Sequence, residues 1–199
     1  MKNIKEEILK SIDELNLREE IKLDDIPNLD LYMDQVITLF ENGLRSSKRF
    51  ENDKLLTKTK INNYTKDKIL MPTKNKKYSK NHIIMMIFLY NLKQSLSIND
   101  IKVLLSRMVK SFEGSNKKSI ELAKLYEDFL HIKQVEVDDF KDEVSKKLEL
   151  ILLSTSDFSE EKVNSIEYEK LFLMVITLIN SANIQRQLAE KLIDEYFAK

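Results

Sequence analysis

Between Lys54 and Lys80 the chain reads KLLTKTKINNYTKDKILMPTKNKKYSK, in which nine lysines (54, 58, 60, 66, 68, 74, 76, 77 and 80) face one acid, Asp67. Ammonium groups at this density neutralise phosphates and release their counterions. The adjacent Asn62 and Asn63 offer donor–acceptor pairs suited to the edge of adenine. The chemistry these residue types point to is recognition of double-stranded DNA. Lys58, Lys60, Lys66, Lys74, Lys76 and Lys77 would lie on the backbone, Asn62 and Asn63 on bases, and Tyr78 on the backbone through its hydroxyl. Two plainer readings stand beside it: a solvated basic face, and a surface kept for protein contacts.

Other chemistry has little to stand on. There are no cysteines, so disulfides, thiolate metal sites and thiol nucleophiles drop out together. Two glycines leave no phosphate-cradling loop and no nucleophile elbow. His82 and His131 read as structural. Asp138, Asp139, Asp142 and Glu143 lack calcium-loop spacing and suit a helix N-terminus. The expectation is a non-enzyme with no catalytic residue, metal or cofactor.

The elements that must carry the basic stretch are helical. With 33% charged and 42% hydrophobic residues and only two Gly and two Pro, the chain reads as all-α. Its zero net charge hides segregation. Residues 1 to 44 hold 5 basic and 11 acidic groups, 45 to 110 hold 16 and 4, and 111 to 199 hold 12 and 18. A basic middle between acidic flanks suits a polyanion-binding segment.

Thr57 is the expected N-cap of a helix running to about Lys68, with Ile61 and Tyr64 turned inward and Lys58, Lys60, Asn62, Asn63 and Lys66 on the other faces. Pro72 ends it. Thr73 to Lys77 is a loop or a tight two-strand wing anchored by Tyr78. Upstream, Ile4, Ile8, Ile12 and Leu15 mark one face of an amphipathic helix. Asp30 is the expected cap of a helix through Val36 and Phe40, with Gly43 as its stop. Downstream, Ser79 opens a helix apolar all round from Ile83 to Tyr90. Ser97 with Asp100 forms a variant capping box for the helix bearing Ile101 and Leu105. Gly114 and its serine neighbours make the best boundary. Ile120 to Leu130 and Phe140 to Leu152 predict two further helices, then a break at Ser154 to Ser159, then one long or two shorter helices to Phe197.

The middle of the chain, about residues 57 to 105, resembles a MerR-type winged helix-turn-helix. The residues that carry the resemblance are Thr59 to Lys66 as recognition helix, Ile69, Leu70 and Pro72 as its exit, Lys76-Lys77-Tyr78-Ser79 as wing, and Leu92 with Ser97 to Leu105 as closing helix. It departs from that pattern at Asn62, where the family carries Arg, and at Lys68, where it carries Gly. Asp30 to Val36, Thr57 to Tyr64, Lys76 to Ser79 and Lys93 to Ile98 together are similar to a bacterial domain-of-unknown-function family.

The resemblance implies a DNA-binding transcriptional regulator with recognition helix 57–68 and wing 72–79; the alternative is a non-catalytic protein-interaction module on the same scaffold. The expected organisation is an N-terminal helix and connector over 1–28, a DNA-binding lobe over 29–113 and a helical lobe over 115–199. The last lobe is the candidate homodimer interface, or the seat of a small-molecule or protein effector. The charged N-terminus and the absence of any ~20-residue apolar run speak for the cytoplasm and against a membrane.

Overall fold

The computed structural model describes residues 4–113, 120–154 and 163–198. The boundary at Gly114 and all but the first residue of the Ser154–Ser159 break lie outside the described residues. The chain is mostly helical, with one two-stranded sheet. In order, α1 is Ile4–Glu14, β1 Leu31–Tyr32, α2 Met33–Gly43, α3 Lys58–Lys66, β2 Lys77–Tyr78, α4 Lys80–Leu92, α5 Ile98–Glu113, α6 Leu122–Ser154 and α7 Val163–Tyr196. Among the described residues no helix is long and apolar enough to cross a membrane.

α4 is the axle. A helix apolar on every side must be enclosed by neighbours, and Ile83 to Ile87 and Leu89 are all buried. The core around it takes Val36 and Phe40 from α2, Ile61 and Tyr64 from α3, Ile101 and Leu105 from α5, and Leu122 and Tyr126 from α6. Phe88 meets Tyr126 and Phe129 edge-on, each with ring centroids 5.7 Å apart. The first turns of α6 therefore belong to this core. So does the connector after α1: Ile21 and Ile26 are buried in it, and the Tyr126 hydroxyl donates to the Ile21 carbonyl at 2.5 Å.

Two expectations are corrected. Asp30 does not cap α2, because Leu31 and Tyr32 pair antiparallel with Tyr78 and Lys77 and postpone the helix to Met33. Gln35 takes over the capping, accepting from the Tyr32 N–H at 2.8 Å. The two helices expected over 120–152 are one, α6, since 131–139 contains no Gly or Pro to break it. Of the one long or two shorter helices expected toward Phe197, the structure has the one long helix, α7.

α1 runs antiparallel along α6, tied by Lys5 to Glu149 at 3.1 Å, by Lys141 to Asp13 at 3.0 Å and by Arg18 to Asp138. Ile8 and Ile12 pack on a second, small core of Val144, Ile151 and Met174 between α6 and α7. The far end of α7 returns to the main core through Ile193.

Candidate nucleic-acid interface

The Thr57 hydroxyl accepts from the Lys60 N–H at 3.1 Å, which satisfies one of the free donors at the start of α3 and sets where the helix begins. Ile61 and Tyr64, three apart, are the buried residues of α3. Their burial turns Asn62, Asn63 and Lys66 to solvent. The helix is held against α2 by the linker between them. Glu41 accepts from the Leu55 N–H at 3.2 Å and pairs with Lys48, whose ammonium lowers the Glu41 carboxyl pKa.

The exit from α3 is a left-handed residue. Lys68 has φ 58°, its N–H donates to the Thr65 carbonyl at 3.1 Å, and the Ile69 N–H reaches back to the Tyr64 carbonyl at 3.0 Å. Glycine is the default there, because a Cβ crowds the following carbonyl. Ile69, Leu70 and Met71 then dive into the core.

The next turn repeats the device. Lys74 and Lys77 form an antiparallel bridge, the Lys77 N–H donating to the Lys74 carbonyl at 3.0 Å. The two residues between them, Asn75 and Lys76, have φ 52° and 58°. Positive φ at both central positions marks the type I′ turn that matches strand twist. Asparagine tolerates it and lysine is strained by it.

Two contacts at the start of α2 bring helix and turn together. The Lys77 ammonium lies 5.0 Å from the centre of the Tyr32 ring, and Lys58 pairs with Asp34 at 2.7 Å. Tyr32 and Asp34 are two residues apart, so the first turn of α3 and the basic turn converge on one edge of α2.

Beneath the turn, His82 locks the start of α4. Its Nδ1 accepts from the Ser79 N–H at 3.2 Å and lies 2.7 Å from the Ser79 hydroxyl, while Nε2 is 3.4 Å from the Pro72 carbonyl. Burial lowers the imidazole pKa, against the opposing pull of the Pro72 carbonyl and the Asp30 carboxylate. An Nε2–H tautomer suits both partners.

The sequence-derived residues thus divide. Asn62, Asn63, Lys66, Lys74 and Lys76 are exposed. Lys58 is exposed but paired with Asp34. The Lys60 ammonium donates to the Lys54 and Leu55 carbonyls, both at 3.2 Å, and so braces the linker. Lys77 is half-buried over Tyr32. Tyr78, expected both to anchor the turn and to offer its hydroxyl to the backbone of DNA, is buried as an anchor: it is 4% exposed, edge-on to His82, and burial raises its phenol pKa.

Lys68 is not among the DNA contacts expected from the sequence. Its signal was present in the sequence as a lysine where a helix exit asks for glycine. Lys66, Lys68, Lys74 and Lys76 make no ion pair among the described residues, which leaves four ammoniums facing water around α3 and the turn.

No curated protein and no solved structure matches the chain. The family model described as Domain of unknown function (DUF1836) matches residues 21–129, a span that begins at buried Ile21, ends at Phe129 on the α4 core and takes in more than half of the chain, which belongs to that family.

Proposed function

We propose that this protein is a cytoplasmic DNA-binding transcriptional regulator whose α2, α3 and Lys74–Lys77 turn act as a winged helix-turn-helix of MerR-like type. The observation that carries the reading is the pair Lys68 and Lys76. Both are exposed, both lack an ion pair among the described residues, and both hold a left-handed backbone that glycine would adopt without strain. Retaining lysine at two such positions costs stability, and backbone strain of this kind concentrates at functional sites. A ligand that rewards cations there explains the retention.

In this reading Lys66, Lys68, Lys74 and Lys76 contact phosphates on either side of α3, and Asn62 and Asn63 present amides to base edges in the major groove. Lys60 and Tyr78 position the elements. Lys58 joins the phosphate set by exchanging Asp34 for a phosphate oxygen.

The test is duplex binding by fluorescence anisotropy across a salt series. Neutralising four to five phosphates requires log Kd to rise with log salt at a slope of about 4. Lys66→Ala with Lys74→Ala lowers affinity for all sequences and reduces the slope by about 2, while Asn62→Ala alters preference among sequences. Absence of binding at low salt overturns the proposal and favours the protein-interaction module.

A further inference from the structure

α7 leaves a large apolar face uncovered. Tyr168, Leu171, Phe172, Val175, Ile176 and Ile179 are 45–70% exposed, and at 3.6 residues per turn all six fall on one side of the helix. The side that meets α6 is a different one, marked by buried Met174 and half-buried Leu178. Tyr168 and Phe172 are already stacked, with ring centroids 6.4 Å apart and 23° between their planes.

We infer that this stripe seats the same stripe of a second copy of the chain, antiparallel, about a two-fold axis passing beside Val175. Three observations choose that occupant. The first is area. Six side chains of this size and exposure present roughly 600 Å² of apolar surface, near the ~800 Å² per partner of a stable interface and at the top of the ~300–600 Å² that the largest patch of a monomer reaches. Exposed Ala182 and Asn183 on the same side of the helix extend it.

The second is charge. From Leu171 to Gln185 there is no charged residue, so a copy laid on its own image apposes no like charges. The described flanks, 168–170 and 186–198, carry three basic and four acidic groups, a balance with no attraction for an anionic lipid surface. The third is shape. Tyr168 at one end of the stripe and exposed Ala182 further along share the face, and reversal about Val175 lays ring against methyl, with Leu171 against Ile179. A parallel pairing sets Tyr168 on Tyr168 and leaves a gap between the two Ala182 methyls, the poorer packing.

The chain has no cysteine, so single introduced thiols report the geometry directly. Sedimentation equilibrium without DNA should find a dimer at tens of micromolar. Val175→Glu with Ile179→Glu should weaken it on the order of a hundredfold, the consequence of burying carboxylates without partners, with unchanged helical circular dichroism. Under oxidation, Val175→Cys should cross-link to its own copy. A mixture of Leu171→Cys and Ile179→Cys should give the mixed cross-link, and Tyr168→Cys alone should give none. A wild-type monomer, a dimer indifferent to the double Glu variant, or efficient Tyr168→Cys self-cross-linking would overturn the inference. Because DNA is absent from every arm, the outcome is independent of duplex binding.

Discussion

Replacing Lys68 and Lys76 together by glycine should strengthen the fold and weaken the function, and the two signs are separable. Each lysine holds φ near 58°. A non-glycine residue in that region carries about 1–2 kcal/mol of steric cost, of which glycine's larger unfolded-state entropy cancels about 0.5–1. The glycine pair should therefore equal or exceed wild-type stability. The sharper comparison is with Lys68→Ala and Lys76→Ala, which remove the same charges and keep the Cβ. Glycine should exceed alanine by about 1 kcal/mol per site, about 2 in all, and in a chain of this length that is roughly 4–8 °C in Tm.

Both double variants lose the same two cations, so each should reduce the slope of log Kd against log salt by about 1.8. Thermal melts followed by circular dichroism and a salt-titrated anisotropy assay read the two effects on the same samples. A glycine pair no more stable than the alanine pair would show that the two turns are not left-handed. A salt slope unchanged in both variants would remove these lysines from the DNA contact whatever the melts report.

Gly43 closes α2 without a positive φ, and a Cβ there would meet Ile21 Cγ1 at 2.5 Å; Gly43→Ala should cost about 1–2 kcal/mol in urea unfolding, overpacking outweighing helix propensity, and should be close to neutral in an Ile21→Ala background. Burial lowers the folded-state pKa of His82 below the ordinary value of 6.5. The unfolded chain then takes up the proton first on acidification, so this stability is complete above pH 6.5 and is lost as pH falls through the lowered folded-state pKa. His82→Gln, which keeps an acceptor for the Ser79 N–H, should remove that part of the difference between urea midpoints measured at about pH 7.5 and about pH 5.5.

What was legible in the sequence was local. Thr57 as cap, Ile61 and Tyr64 as the inward pair and the enclosed α4 all rest on residues three or four apart, and the structure keeps them. Ser97 caps α5, accepting from the Asp100 N–H at 3.2 Å and donating to the Asp100 carboxylate at 2.6 Å. What was not legible depends on partners distant in sequence. Asp30 loses its capping role to a strand pairing with Lys77 and Tyr78, and Tyr78 is buried by that same pairing. Lys60 looks like a free cation until the linker carbonyls fold over it.

The two left-handed turns are the instructive case. Turn chemistry is read from glycine and asparagine, and at 68 and 76 the chain carries lysine instead. The lysines that weaken the turn signal in the sequence are the ones that put ammoniums on the turns. A turn written in glycine would be plainer in the sequence and would carry no side-chain charge, so the residues that blur the geometry are also the ones on which the proposed DNA contact rests.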